Sequence, residues 1–448
     1  MRTYLSVFLM SAVSAGCSLV CGAATDAAAL RKAVVDKVAA EYPALEAIYK
    51  EIHAHPELSF MEVKTAALVA RELRTLGFEV TEGIGNTGVV AVLKNGAGPT
   101  VLGRADMDAL PVKEATGLPH ASQAVVKDLS GRDQPAMHAC GHDLHVTGMI
   151  GTARTLVHLK ANWSGTLVLI AQPAEEIVAG ARAMLLDGLY TRFPKPDYAL
   201  ALHVSAVRPA GIIGVTEGPT YASVSSVDIL VRGVGGHGSA PHTTRDPVLL
   251  AAQIVIALQP IVSREVKPGT PAVVTVGTIH GGTKRNIISE EVKLELTLRS
   301  FDEKVTEQLI AAIRRIAAGT AQAAGVPPDR LPVVTVTPES AAVTVNNPEL
   351  VRRLSGTFKS WLGEDRVEPR PPTTGAEDFS EFGRTAHRVP IFIWAVGAAD
   401  PAKFAEAESA GVSLASNHSP TALFVPNPTI QACVTSMSAA VLDLLGKK

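Results

Sequence analysis

Apolar positions along the first half of the chain follow two patterns, one with helical spacing and one typical of buried strands. Residues 26–76 follow the helical pattern, which Pro56 interrupts. Apolar runs predict strands at 89–93, 100–106, 166–171 and 198–203, and helical runs predict helices at 143–160 and 180–189. Strands and helices that alternate in this way are typical of a layered α/β domain.

The pattern changes after Gly211. Strands are predicted at 227–231, 272–279 and 292–299, and long helices at 246–264 and 302–324, which suits a compact α+β unit of about a hundred residues. After Pro338 the α/β pattern resumes with a strand at 391–394 and a helix at 429–445. The sequence therefore predicts one α/β domain in two parts, 25–216 and 336–448, which an α+β domain at 217–335 interrupts.

Composition and charge narrow the class of protein. The chain has 448 residues, of which 47% are hydrophobic and 19% charged, so it can bury the cores of two domains. Its net charge is −2 and it has no run of five basic residues, so the pattern expected of a protein that binds nucleic acid or an anionic membrane is missing. A small molecule is the expected partner.

The first 24 residues have the layout of a secretory signal peptide. A basic Arg2 precedes an apolar run at 4–13 and then small residues through Ala24, and the run is too short to span a bilayer. We predict a signal peptide at 1–24, cleaved after Ala24, and a secreted or periplasmic protein. A buried N-terminal helix is one alternative. Lipidation at Cys17 is another, ranked second because Ser14 stands where a branched aliphatic residue is usual.

Cleavage after Ala24 would leave two of the four cysteines, Cys140 and Cys433. Two thiols so far apart do not resemble a disulfide framework. Cys433 lies in an apolar helical pattern and is predicted to be inert core, whereas Cys140 lies in a cluster of candidate metal ligands.

That cluster occupies two short stretches, His138-Ala-Cys-Gly-His-Asp-Leu-His145 and Gln172-Pro-Ala-Glu-Glu176. Cys140 and His142 lie two residues apart just before a predicted helix, so their side chains can converge on one centre. Glu175 and Glu176 follow a strand and point in different directions, so one can bind metal while the other takes a proton from the attacking water. These stretches predict a metal-dependent hydrolase.

Further polar residues end neighbouring strands. His203 closes the strand at 198–203 and is a natural additional ligand, and Asp106 and Asp108 follow the strand at 100–106, where open α/β sheets place their sites. His53 and His55 lie beside the proline break near a helix end, and we interpret them as structural.

Two other classes of function fit parts of this pattern. Cys140 could be a nucleophile with His142 as its base, as in a thiol enzyme. A closed structural zinc site is the second alternative, although the candidate ligands outnumber the four that such a site needs. Two metal equivalents with chelator-sensitive activity would favour the hydrolase, and one inert equivalent would favour a structural role.

Seven motifs stand in the order seen in the M20 metallopeptidases, and the chain resembles the amidohydrolase branch of that family. This branch includes hippurate hydrolases, N-acyl-amino-acid amidohydrolases and plant auxin-conjugate hydrolases. The resemblance extends from residue 52 to His418. The motifs are Arg-Ala-Asp-Met-Asp-Ala-Leu-Pro at 104–111, His-Ala-Cys-Gly-His-Asp at 138–143, Gln-Pro-Ala-Glu-Glu at 172–176, Leu-His-Val at 202–204, Gly-Gly-His-Gly-Ser-Ala-Pro-His at 235–242, Gly-Ala-Glu-Asp-Phe at 375–379 and His-Ser-Pro at 418–420.

The resemblance implies a role for each matching residue. It implies a two-metal site with Cys140 as the bridging ligand, Glu175 as the general base, and Asp106 and Asp108 supporting the ligands from behind. It also implies that the inserted domain forms a homodimer and that His237 reaches the neighbouring active site to stabilise the oxyanion. Asn286 and Arg299 resemble positions that contact the substrate carboxylate. The remaining implied metal ligands are His142, Glu176, His203 and His418.

The resemblance also implies the cofactors and the substrate class. Two divalent metal ions are expected; the cysteine favours zinc, and manganese or cobalt can support activity in this branch. The substrate would be an N-acyl amino acid or a small peptide, so a dipeptidase or carboxypeptidase is an alternative within the family.

Two segments depart from the family pattern. Residues 121–135 are longer and more charged than usual, so the entrance to the pocket is expected to be remodelled. Residues 421–425 lack the acidic residues that usually follow the Ser-Pro pair at 419–420.

Overall fold

The structure is a computed structural model that describes residues 17–447, with side chains from residue 27 onward. Residues 1–16 of the predicted signal peptide lie outside the described residues, as does the side chain of Cys17. The first described helix begins at Cys17, so the predicted cleavage point after Ala24 falls within it.

Helices and strands alternate along the described chain. The helices are α1 (Cys17–Ala54), α2 (Val63–Thr75), α3 (His142–His158), α4 (Gly180–Leu186), α5 (Leu189–Arg192), α6 (Pro247–Leu258), α7 (Glu303–Ala323), α8 (Pro348–Leu362), α9 (Ser380–Arg384), α10 (Pro401–Ser409) and α11 (Pro426–Leu445). The strands are β1 (Glu79–Ile84), β2 (Gly88–Asn95), β3 (Thr100–Asp106), β4 (Val125–Lys127), β5 (Asp133–Pro135), β6 (Gly165–Gln172), β7 (Tyr198–Pro209), β8 (Ile213–Val215), β9 (Gly218–Tyr221), β10 (Ser223–Arg232), β11 (Gly236–His237), β12 (Ala272–Gly281), β13 (Ile287–Ile288), β14 (Glu291–Ser300), β15 (Val333–Ala341), β16 (Thr344–Asn346), β17 (Val367–Pro369) and β18 (Ile391–Ala399).

An eight-stranded mixed sheet forms the larger domain, in the order β1-β2-β6-β3-β7-β18-β8-β17. The predicted strands β2 and β3 are joined by a turn but do not pair, because β6 lies between them, antiparallel to β2 and parallel to β3. Strands β6, β3, β7 and β18 are parallel, so their carboxyl ends meet at one edge. Open α/β sheets place their functional sites at this edge.

Helices cover both faces of this sheet. The larger core lies between the sheet and α1, α3, α8 and α11, and a smaller core packs α4, α5 and α9 on the other face. Two described segments, Pro247–Glu265 and Pro426–Leu445, have the length and apolar composition of a membrane span. The second is 83% buried in the α/β core, which accounts for its apolar character.

The inserted domain is a four-stranded antiparallel sheet in the order β12-β14-β10-β15, with α6 and α7 packed on it. Its last strand, β15, runs past the predicted boundary at residue 335 to Ala341. The α/β pattern, predicted to resume after Pro338, begins only beyond β15, because β15 is an edge strand, where the missing N–H of proline is tolerated.

The predicted fold class is confirmed: a layered α/β domain with a mixed sheet is interrupted by a smaller α+β domain. Several elements differ from the prediction in their bounds, and two of them serve as examples. The helix predicted at 180–189 ends at Leu186, because Gly188 adopts a φ of 89° and a separate short helix follows. Strand β7 continues beyond His203 to Pro209, so His203 lies within the strand and not at its end.

Candidate metal centre

The two predicted ligand stretches meet at the carboxyl edge of the eight-stranded sheet. Gly141 precedes α3 with a φ of 83°, a left-handed conformation that glycine adopts without strain. A Cβ atom at this position would lie 2.4 Å from Cγ2 of Val204 on β7. Glycine therefore lets the chain turn tightly against β7, with Cys140 on one side of the turn and His142 on the other.

Cys140, His142 and His203 form a first group of donor atoms, all within 4.8 Å of one another. Nδ1–H of His203 donates to the carbonyl of Val204 at 2.8 Å, so the lone pair of Nε2 faces Sγ of Cys140 at 3.5 Å. Nδ1–H of His142 donates to the carbonyl of Asp108 at 2.8 Å. Both imidazoles are thus held by a backbone carbonyl in the tautomer that ligates through Nε2.

Cys140, Glu176 and His418 form a second group on the other side of the thiol. Nε2 of His418 lies 3.2 Å from Sγ of Cys140 and 3.4 Å from Oε2 of Glu176. His418 has a φ of 71° and is held by a hydrogen bond from its N–H to the carbonyl of Ala139 at 2.8 Å. Its neighbour Asn417 donates to the carbonyls of Cys140 and Val204, both at 3.1 Å.

Unpartnered buried atoms in these groups test whether a metal fits. Nε2 of His142 and Oε1 of Glu176 are buried and have no hydrogen-bond partner among the described residues, and they lie 3.8 Å apart. Buried polar atoms are normally satisfied. The first group offers the sulfur and two imidazole nitrogens, and the second offers the same sulfur with one nitrogen and one carboxylate oxygen. Both donor sets suit zinc. The residues therefore fit two divalent cations that share Cys140.

Asp108 holds the loop that carries both glutamates. Its Oδ1 accepts from the N–H of Glu175 at 3.1 Å, and its Oδ2 accepts from the N–H of Glu176 at 3.0 Å and from the hydroxyl of Ser59 at 2.6 Å. Through its backbone carbonyl the same residue also orients His142. Asp108 therefore positions three of the predicted site residues without belonging to a donor group itself.

Glu175 belongs to neither of the two groups that share the thiol, but it forms a third group of potential donors with His142 and Glu176. Its Oε2 is 3.9 Å from Nε2 of His142. Burial, and then the charges of Glu377 and Glu176, raise the pKa of the Glu175 carboxyl well above its usual range. Cations at the donor groups would oppose this shift and favour the carboxylate.

Asp106 contacts a histidine that we had not assigned to the site. Nδ1–H of His145 donates to Asp106, and Nε2 of His145 accepts from the N–H of Val204 at 2.8 Å, so both ring nitrogens are used. Asp106 also lies 3.6 Å from Nε2 of His142. The motif His142-Asp-Leu-His145 places both histidines on one face of α3 by its spacing of three, a signal that could have identified His145.

A buried arginine and its acidic partners lie behind Asp106, and sequence reasoning assigned them no role. The guanidinium of Arg104 contacts Asp106 at 2.5 Å, Glu377 at 2.7 Å and Asp378 at 3.3 Å, and it donates to Gln172 at 2.9 Å. All four side chains around it are buried. The cluster joins β3, the end of β6 and the segment at 375–379, which positions the donor groups in front of it.

Replacing Arg104 with methionine should destabilise the protein strongly. The change keeps much of the side-chain volume but leaves three buried carboxylates without their cation, which should lower the free energy of unfolding by about 3–5 kcal/mol. Urea unfolding of metal-free protein measures the effect. The matched control Arg352→Met removes an exposed pair with Glu217 and should cost about 0–1 kcal/mol. Equal costs for the two variants would contradict the proposed role of Arg104.

His53 and His55 lie outside the donor groups. His53 is buried between Asp143 at 2.7 Å and Glu114 at 3.2 Å. Burial lowers its pKa, but the two carboxylates outweigh burial and raise the pKa to about 10. His55 is exposed and bonds to the carbonyl of Glu51 at 2.9 Å.

His237 and Asn286 lie together at the tip of the inserted domain, while Arg299 lies at its base. His237 pairs with Ile287, and the N–H of Gly238 donates to the carbonyl of Asn286 at 2.9 Å. Arg299 pairs across the sheet with Val224, which packs against Val178 in the loop after Glu176. The strand Ser223–Arg232 that separates base from tip rises about 30 Å. One chain therefore does not bring the two predicted substrate-binding residues together.

Comparison with known proteins places this site in a family. Residues 102–416 match the model of peptidase family M20/M25/M40. Over 350 residues the chain is 39% identical to thermostable carboxypeptidase 2 of Saccharolobus solfataricus, covering 77% of this chain and 84% of that protein. Over 339 residues it is 40% identical to the hippurate hydrolase of Campylobacter jejuni, covering 75% and 84%.

A solved structure supports the same assignment. The chain superposes with a TM-score of 0.72 on a dinuclear metal-binding peptidase of the M20 family from Bacillus subtilis. The two are 29% identical, and the match covers 90% of this chain and 99% of that one. The donor groups described above thus lie in a fold that holds two metals in a relative.

Proposed function

The chain belongs to peptidase family M20/M25/M40, a family of hydrolases that act on amide bonds, and on that premise we propose that it is a two-metal amidohydrolase of N-acyl amino acids or small peptides. The observation that carries this proposal is the buried thiol of Cys140 shared by two donor groups, in which His142 and Glu176 each keep a buried atom without a hydrogen-bond partner. Structural zinc sites are closed around one ion, and this arrangement has too many donors for that role.

In this proposal Cys140, His142 and His203 would hold one cation, and Cys140, Glu176 and His418 would hold the other. Zinc suits the sulfur and nitrogen donors best, with manganese or cobalt as alternatives. Two divalent cations there would supply Lewis-acid polarisation of the amide carbonyl and lower the pKa of the attacking water.

The protein side chains would transfer the proton and position the reacting groups. The carboxylate of Glu175 accepts a proton from the attacking water and returns it to the amine that leaves. Asp108 fixes the backbone of Glu175, so the carboxylate does not have to be ordered during the reaction. The buried position of Cys140, with histidines on both sides, favours a ligand over a nucleophile.

We propose that the amino-acid end of the substrate binds to Arg299. Nη1 of Arg299 is buried and has no partner among the described residues, and burial lowers the pKa of this guanidinium. A substrate carboxylate would give it a bidentate partner. Asn286 and His237 would then approach the same substrate from a second copy of the chain, because about 30 Å of sheet separates them from Arg299. This requirement supports a homodimer.

A peptidase is the second candidate. The 39% identity to a thermostable carboxypeptidase favours it, and the same donor groups would serve peptide and N-acyl substrates alike. Assaying dipeptides beside N-acetyl and N-benzoyl amino acids separates the two by their relative kcat/KM.

Metal removal tests the proposed function. The protein should bind two equivalents of metal, and chelation should abolish hydrolysis of N-acyl amino acids, with activity restored by zinc, manganese or cobalt. Cys140→Ser should lose metal while it stays folded, because a hydroxyl is a far weaker ligand than a thiolate. Cys433→Ser is the matched control, since this buried thiol lies away from the donor groups. Chelator-resistant activity, or two tightly held metals in Cys140→Ser, would overturn the metal assignment.

We also propose that the enzyme is exported. The basic, apolar and small-residue order of residues 1–24 supports a cleaved signal peptide, and lipidation at Cys17 stays the second-ranked alternative. Both cysteines described with side chains, Cys140 and Cys433, are free thiols.

A further inference from the structure

The long segment before the metal motif folds into a β-hairpin with its own polar core. Strands β4 and β5 pair antiparallel, and Asp128 closes the turn between them. Its Oδ1 accepts from the N–H groups of Ser130 at 2.9 Å and Arg132 at 3.0 Å, and its Oδ2 accepts from Arg132 Nε at 3.1 Å and Gln134 at 3.2 Å. The hairpin is therefore fixed by its own hydrogen bonds.

This hairpin forms one wall of a cavity that reaches the metal centre. The cavity has a volume of about 560 Å³, within the range of small-molecule sites. Glu176, a proposed metal ligand, is one of the residues that line the cavity. A group bound in the cavity would therefore lie next to the amide bond that is cleaved at the metal centre. The apolar residues of its lining are Leu58, Ala109, Leu110, Pro111, Leu129 and Ile177.

We infer that this cavity binds an extended apolar acyl group of the substrate and that Leu129, at the tip of the hairpin, determines acyl-chain specificity. The inference rests on the proposed amidohydrolase function and deepens it. Leu129 exposes 64% of its surface, a high exposure for a leucine on a turn that is otherwise held by polar contacts. An apolar group in the cavity would cover it.

The charges around the cavity favour a neutral occupant. Arg132 is the one cation in the lining, and its guanidinium is already paired with Asp128 at 3.1 Å. The carboxylate of Asp128 already accepts hydrogen bonds from the backbone N–H groups of Ser130 and Arg132. A substrate carboxylate would therefore find no free cation here, whereas Arg299 offers one from the inserted domain. We therefore assign the amino-acid carboxylate of the substrate to Arg299 and the acyl group to this cavity.

A substrate series with one amino acid and increasing acyl length tests the inference. We expect kcat/KM of the wild type to rise by about tenfold or more from N-acetyl to N-octanoyl and N-benzoyl substrates, because each buried apolar group adds to binding. Leu129→Asp should remove about tenfold of kcat/KM for the long and aromatic substrates, since it places a charge beside the acyl group. Its activity on the N-acetyl substrate should stay within about twofold, because an acetyl group does not reach the tip.

Val125→Asp is the matched control. Val125 lies on the same hairpin with 68% of its surface exposed, but it does not line the cavity, so the substitution should leave the whole series unchanged. If Leu129→Asp lost kcat/KM equally on all substrates, or lost none on any, the inference about the cavity would be overturned. The proposed function would still stand if the wild type hydrolysed the N-acetyl substrate. A wild type that hydrolyses no member of the series would overturn both.

Discussion

Glu175→Gln should lower turnover by a hundredfold or more while the protein keeps two equivalents of metal. The amide has nearly the same shape as the carboxylate but cannot accept the proton of the attacking water, and losing a general base costs about 10²–10⁴ in rate. Because Glu175 lies outside both shared-thiol donor groups, metal content should not change. Steady-state kinetics on the best N-acyl substrate and elemental analysis of the same sample measure the two quantities.

The matched control for this variant is Glu217→Gln, which makes the same change at an exposed glutamate paired with Arg352. It should retain full activity. The wild type should also lose activity as the pH falls, because protonated Glu175 cannot serve as the base, and the residual activity of Glu175→Gln should lack that acidic limb. A variant that kept wild-type turnover, or one that lost its metal, would show that Glu175 is not the base.

Most of the donor residues could be predicted from the sequence, because they lie close to one another along the chain. Cys140 and His142 flank one turn, and Glu175 and Glu176 are adjacent, so short-range chemistry is enough to recognise them. The adjacency of Glu175 and Glu176 predicts two different roles, and the family resemblance implies which residue has which role. Spacing could not show which donor atoms lack a hydrogen-bond partner, such as Nε2 of His142, because the orientation of that ring depends on the carbonyl of Asp108 in the segment after β3.

The buried support of the site could not be predicted in this way. Arg104 and Glu377 are 273 residues apart, and they meet because the segment at 375–379 packs against Arg104 of β3 and Gln172 of β6. Neither residue has a pattern around it that indicates a buried ion cluster, since a charged residue in a strand is more often exposed. The motif at 375–379 was recognisable, but its physical role became clear only from the contacts of Arg104.

The predicted domain boundary at residue 335 differs from the structure for another reason. The sequence pattern predicts that the inserted domain ends at residue 335 and that the α/β pattern resumes after Pro338. The strand Val333–Ala341 tolerates this proline at the edge of the four-stranded sheet, with β10 on one side only. Whether a strand lies at an edge is a property of the whole sheet, and a local sequence window does not contain it.

His237 should be the second residue whose loss nearly abolishes turnover, although it lies far from the metal centre of its own chain. The N–H and hydroxyl of Ser239 approach Nδ1 of His237 at 3.1 Å and 2.7 Å, and the backbone N–H can only donate. Nδ1 is therefore the acceptor and Nε2 carries the proton. In the proposed homodimer, this exposed N–H at the tip of the inserted domain would donate to the oxyanion in the site of the second chain.

His237→Ala should reduce kcat by about 10²–10³, the usual cost of losing one oxyanion donor, with little change in KM or metal content. The matched control is His242→Ala, which truncates another exposed histidine of the same loop. It should leave kcat within about twofold. A drop confined to KM in His237→Ala would indicate ground-state binding and contradict the oxyanion role.

Mixed dimers test whether the donor comes from the partner subunit. In a dimer of one His237→Ala chain and one Glu175→Gln chain, one of the two sites would combine an intact Glu175 with an intact His237 from the other chain. Random exchange makes half of the dimers mixed, so about a quarter of the wild-type activity should return. If both residues acted within one chain, no site in any dimer would be complete. Mixtures that demonstrably exchange subunits, followed by tags of different mass, yet stay inactive would therefore place His237 outside the partner's active site.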